Sequence, residues 1–141
     1  MFTTSKNSVT GLNALVALEP SDEKPHSVWL YVSNGDEIIS DCYLINLIEP
    51  TESLIKPENR DAPPPVTRQY LASALPAEVP SEEDIHFTWS KSGEDVAVSI
   101  DGVVLGFTVS GQKRGYSRAL CQTGPWGSPW SDDLFESHFA D

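Results

Sequence analysis

Two cysteines, three histidines and nine basic residues are all that this chain of 141 residues holds of the side chains that most often carry redox, metal or phosphate chemistry. Cys42 and Cys121 stand far apart and make no Cys-x-x-Cys pair, so two free thiols in a reduced cytosol are expected. A Cys42–Cys121 disulfide would require export, and spacing alone does not fix how close their Cα atoms come. None of His26, His86 and His138 lies four residues from another or pairs with a cysteine at metal spacing, so neither a metal nor a cofactor is expected. The glycine-rich stretch Gly124-Pro125-Trp126-Gly127 lacks the lysine and the following helix of a phosphate loop. No apolar run approaches the length of a membrane span. The nearest thing to a signal-peptide core, Val9 to Leu18, is interrupted by Thr10, Gly11 and Asn13 and reads better as a first β-strand.

Basic charge is as scarce as cysteine. Twenty-one acids against nine bases leave a net charge of −12, which repels phosphate backbones and argues against nucleic acid as a partner. The acids concentrate between Glu78 and Asp101, including Glu82-Glu83-Asp84 and Glu94-Asp95. Such a run is either a solvated surface or an acidic face that steers toward a basic protein. Lys113, Arg114 and Arg118 are the one local gathering of bases.

What is present spells β structure in a single domain, 1–141, large enough to bury about two-thirds of its unfolded surface. In a first block, Ser27 to Val32 is rich in β-branched and aromatic residues and precedes Asn34-Gly35, the strongest short hairpin signal. The return strand, Glu37 to Ile48, carries apolar residues on both faces in its second half and reads as central and covered on both sides. A second block, 49–83, is a proline-rich connection. Pro63-Pro64-Pro65 stiffens it across the sheet, and Val66 to Leu75 allows a helical turn or two ended by Pro76. The third block is a three-stranded meander: Asp84 to Ser90, the turn Ser92-Gly93, Asp95 to Ile100, the turn Asp101-Gly102, and Val103 to Val109. Tyr116 to Cys121 reads as a fourth strand, and Ser131 as the cap of a short C-terminal helix with Asp132 and Asp133 in its first turn. The expected class is therefore mainly β (α+β), an antiparallel sheet of hairpins and a meander with one short helix.

Few motifs carry chemistry. Gly115-Tyr116-Ser117-Arg118-Ala119 is one glycine short of a nucleophile elbow, and the chain lacks the βαβ rhythm that an elbow needs. Asp41 on an otherwise apolar strand must be paired or protonated if buried; a salt bridge to an arginine such as Arg118 is the plain expectation, a ligand-facing group the sharper one. Trp126 and Trp130 sit on a proline-stiffened loop. They either present rigid aromatic anchors to a partner or fold back to close one end of the sheet.

The third block resembles a family of small uncharacterised bacterial proteins, a domain of unknown function. The matching residues are Trp89-Ser90, Ser92-Gly93, Val96 to Ile100 with Asp101-Gly102, and Gly115-Tyr116-Ser117-Arg118, with upstream strands around Val28 to Tyr31 and Tyr43 to Asn46. The likeness spans about two-thirds of the chain and implies a bacterial cytoplasmic protein, with no established activity to transfer. Where that pattern has a cysteine before the arginine, this chain has Ser117, which removes any active thiol there.

With no assembled catalytic motif, the expected function is a non-catalytic, acidic protein-binding module. Its most concrete form is an immunity or inhibitor protein that neutralises a basic toxin or enzyme. Trp126, Trp130, Tyr116 and Arg118 are the candidate contacts, with Glu82, Glu83, Asp84, Glu94 and Asp95 as the steering charge. Two alternatives stand beside it. One is a small-ligand binder or enzyme with a pocket between sheet and terminal helix lined by Asp41, Arg118, Tyr116 and Trp126. The other is a homo-oligomeric structural protein.

Overall fold

Alternation along a strand sends successive side chains to opposite faces, and here it builds both sides of two sheets. The computed structural model describes residues 3–21, 24–52 and 63–139. Strands β1 (Thr3–Lys6), β2 (Asn13–Glu19), β3 (Ser27–Asn34) and β4 (Glu37–Asn46) pair antiparallel in chain order. Strands β5 (Ile85–Trp89), β6 (Val96–Ile100), β7 (Val103–Phe107), β8 (Tyr116–Ser117) and β9 (Ser128–Pro129) form the second sheet, antiparallel except for the parallel β8–β9 pair. Helix α1 (Asp132–Phe139) follows, with Ser131 Oγ accepting from the Leu134 amide at 3.2 Å as the expected cap.

The two sheets pack face to face. Ala14, Val16, Val28, Leu30, Val32, Cys42 and Leu44 of the first meet Ile85, Val96, Val98 and Ile100 of the second in one buried cluster. The outward side of the first sheet is also apolar: Trp29 and Tyr43 are covered by Val66, Leu71, Leu120 and Trp126. On the outward side of the second, Phe107 lies under Tyr116, Trp130, Phe135 and Phe139 of the C-terminal segment. Four layers result, and both sheets are covered on both faces.

Both long edges are laced. On one side Trp89 Nε1 donates to Ser5 Oγ at 3.0 Å and Thr10 Oγ1 to the Gly93 carbonyl at 3.0 Å, joining β1 to β5 and its turn. On the other, Asp41 N donates to Lys113 O at 2.9 Å and Gly115 N to Asp41 O at 2.7 Å. Gly106 lets this side close: a Cβ there would stand 2.6 Å from Cys42 Sγ. Each tryptophan indole N–H also finds an acceptor: Trp29 in Ser27 Oγ, Trp89 in Ser5 Oγ, Trp126 in Pro64 O and Trp130 in Asp132 Oδ1.

Several expectations shift by small amounts with clear causes. The first hairpin turns through Gly35-Asp36, because Asn34 pairs with Glu37; Gly35 takes the positive φ of 62° at the first loop position. Asp101-Gly102 does use positive φ at both positions, 54° and 83°. The strand β4 is covered on both faces but lies at the end of its sheet rather than in the middle. It stops at Asn46, whose side-chain amide turns to the Ile48 carbonyl at 2.6 Å. The expected fourth strand, Tyr116 to Cys121, pairs only over Tyr116–Ser117, since Ser117 Oγ draws the Ala119 amide into a turn at 3.1 Å. Of the proline-rich connection, 53–62 lies outside the described residues; its later part makes a 3₁₀ turn at Arg68–Tyr70 and runs into a second at Glu82–Asp84. Among the described residues no helix is long and apolar enough to cross a membrane.

Candidate protein-binding groove

The C-terminal half of β4 and the β6–β7 turn reach the same end of the sandwich, and residues 71–81 cross it as a strap. Ala72 N donates to Ala119 O at 2.8 Å and Ala77 N to Asn46 O at 2.9 Å, pinning the strap at two points. Pro76 and Pro80 keep it from continuing into a helix or an inner strand. Against the strap lies a groove of about 790 Å³. Leu44, Leu71 and Ile100, all buried, form its floor, with Leu105 beside them. Its rim is unusually apolar for a surface: Leu75 is 81% exposed, Val79 50% and Val103 53%.

The same rim is acidic. Glu78, Asp84 and Asp101 line the groove, and Asp101 N donates to Asp84 O at 3.1 Å, which holds the last two side by side. Glu82 and Glu83 are exposed on the 3₁₀ turn that ends at Asp84. Among the described residues the ion pairs are Arg68–Glu52, Arg114–Asp41 and His138–Asp95, so none of these five acids is offset by a contacting cation. Arg118 also lines the groove, but its Nε donates to Val104 O at 2.7 Å and its guanidinium carbon sits 3.8 Å from the centre of the Trp130 ring. Like charges gathered on apolar walls give this end a negative field.

The other predicted residues are dispersed. Glu94 stands at the opposite end of the sandwich, lining a second cavity of about 540 Å³ with Ile38, Ile39 and Lys113. Asp95 is buried and corrects its reading as steering charge: Oδ1 accepts the Ser110 amide at 2.6 Å and Oδ2 meets His138 Nδ1 at 3.0 Å, anchoring α1. Of the two tryptophans, Trp126 is 3% exposed and folds back beneath the Pro64–Val66 segment, so the anchor reading fails for it. Trp130 is half-buried between Arg118 and Phe135. Tyr116 stacks on Phe107 and its hydroxyl donates to Gln112 Oε1 at 2.7 Å.

The partner of Asp41 is Arg114, not Arg118, because the backbone bridge to 113–115 delivers Arg114 to it. Burial outweighs the attraction of Arg114 and pushes the Asp41 carboxyl up to about 6; its Oδ1 has no hydrogen-bond partner among the described residues. Burial likewise raises the Cys42 thiol, which donates to Tyr116 O at 3.3 Å, while Cys121 is exposed; both thiols are free. Of the four residues expected in a ligand pocket beneath the helix, only Arg118 lines the groove at the strap.

Sequence reasoning did not single out Leu75, Val79, Val103, Glu78 or Asp101. The available signal was the pair Leu75-Pro76 and Val79-Pro80: aliphatic residues in a segment too proline-broken to bury them in an element of its own. Comparison with protein-family models, curated proteins and solved structures finds no match for this chain.

Proposed function

We propose that this protein is a non-catalytic, acidic protein-binding module of the immunity or inhibitor type, which engages a basic protein in the bacterial cytoplasm. The observation that carries this reading is the set of acids at one end of the sandwich, Glu78, Glu82, Glu83 and Asp101 exposed and Asp84 half-buried, left without cation contacts among the described residues. Keeping five like charges together costs stability and serves long-range attraction of an opposite charge. Two free thiols accord with a reducing compartment.

The test is capture from native bacterial lysate on immobilised protein, eluted with rising salt, followed by stopped-flow association with the captured partner. Reversing Glu82, Glu83 and Asp84 to lysine is expected to slow association at least tenfold at low salt and to change dissociation little. An unchanged association rate with every captured protein would defeat the reading.

A further inference from the structure

Charge explains attraction but not the exposed Leu75, Val79 and Val103, which would be better covered. We infer that the groove at the strap is the seat of the partner, and that its occupant is a segment of a partner protein bearing a bulky apolar side chain flanked by lysine or arginine. This rests on the protein-binding reading and adds its site and the chemistry of what enters it.

Three features converge on that occupant. The floor of Leu44, Leu71 and Ile100 is already desolvated, and a cavity of about 790 Å³ is large enough for a few side chains. The rim aliphatics are carried on two separate segments, the strap and the start of β7, that line the same opening, so a group inserted there meets both. Glu78 on the strap and the adjacent Asp84 and Asp101 line the same opening and bring negative charge to that group. A purely apolar segment would leave those carboxylates desolvated without partners, and a purely basic one would leave the aliphatic rim in water. A second copy of this chain is disfavoured, because it brings a further net charge of −12. The opposite cavity is less acidic, with Glu37 and Glu94 against Lys113, whereas the groove sets Glu78, Asp84 and Asp101 against an Arg118 already engaged by Val104 O and the Trp130 ring.

The probe is a fluorescein-labelled peptide, acetyl-Lys-Lys-Leu-Phe-Leu-Lys-Lys-amide, titrated by anisotropy with the full chain and mapped by ¹⁵N-resolved NMR shifts. Binding is expected at low salt, with shifts confined to 71–84, 100–105 and their strand neighbours. Replacing Leu-Phe-Leu by Ser-Ser-Ser should weaken it at least tenfold, as should Leu75→Asp, at a side chain too exposed to be needed for folding. Val103→Asp, checked for an intact fold by circular dichroism, should do the same. Equal binding of the serine peptide, or shifts at the Ile38 end, overturns the groove while leaving the acidic-surface reading in place. No binding of the Leu-Phe-Leu peptide also overturns the inference, whereas the protein-binding reading falls only if lysate capture and charge reversal fail.

Discussion

At the scale of single residues, Asp41 and Gly106 show how closely the seam between the sheets is built. The carboxyl of Asp41 is raised from 3.8 to about 6 by burial, so the folded chain holds this proton more tightly than the unfolded one. Its contribution is fully present below the unfolded value and is lost as pH rises through about 6. Wild type should therefore gain stability relative to Asp41→Asn as pH falls from 7 to 4, by on the order of 2 kcal/mol, measured by urea denaturation at each pH. A flat difference would mean that Arg114 fully offsets the burial. At Gly106, alanine would press its methyl against Cys42 Sγ and against Tyr116 O, 3.0 Å away. A loss of about 1–3 kcal/mol is expected, partly restored in the Cys42→Ala background because the carbonyl contact remains. Neither environment was legible in the sequence. An acid on an apolar strand announced that it needed a partner, but the choice of Arg114 over Arg118 is made by a backbone bridge between segments 73 residues apart.

At the scale of elements, α1 is held by contacts at its edge rather than by burial, since none of its residues is fully buried. Phe135 and Phe139 lie against Phe107, and Asp95 ties His138 to the β7–β8 loop. The two partners of Asp95 are unequal: the Ser110 amide is fixed in the loop backbone and held at 2.6 Å, whereas His138 is a side chain that can turn to water. Asp95→Ala should cost about 2–3 kcal/mol and His138→Ala less than about 1 kcal/mol, read from denaturation curves. Equal losses would show that Asp95 stabilises the fold through the histidine rather than through the loop amide. The helix and its cap were readable from Ser131-Asp132-Asp133, and the meander from its two glycine turns, because caps and tight turns are decided within a few residues. The strand β1 was not, since Thr3–Lys6 has no apolar alternation and owes its pairing to β2. Likewise the burial of Trp126 depends on Val66 and Pro64, some sixty residues earlier.

At the scale of the whole molecule, the net charge is −12, and five of the acids gather around the groove or on the turn beside it. If that cluster is kept for binding, relieving it should help the isolated protein. Glu82→Lys with Glu83→Lys is expected to raise the melting temperature at low ionic strength, and the gain should vanish near 0.3 M salt, where screening falls to roughly 6 Å. A lower melting temperature would mean that these acids hold the strap in place. The groove was only partly within reach of sequence reading: the proline-broken strap signals that Leu75 and Val79 stay exposed, but no local pattern encodes where the strap crosses the sheet ends and brings them beside Val103.

The four indole hydrogen bonds have a consequence for observation. Trp29 lies within the outer layer of the first sheet, Trp89 at the β1–β5 edge, Trp126 in that same outer layer under Pro64 and Trp130 beside the helix. Trp29 and Trp126 share the layer over the first sheet, while Trp89 and Trp130 each stand alone at their own seam. Chains retaining one tryptophan apiece would report separately on loss of the layer over the first sheet (Trp29 or Trp126), release of the helix (Trp130) and parting of the sheets at the β1–β5 edge (Trp89), turning a single unfolding curve into an order of events.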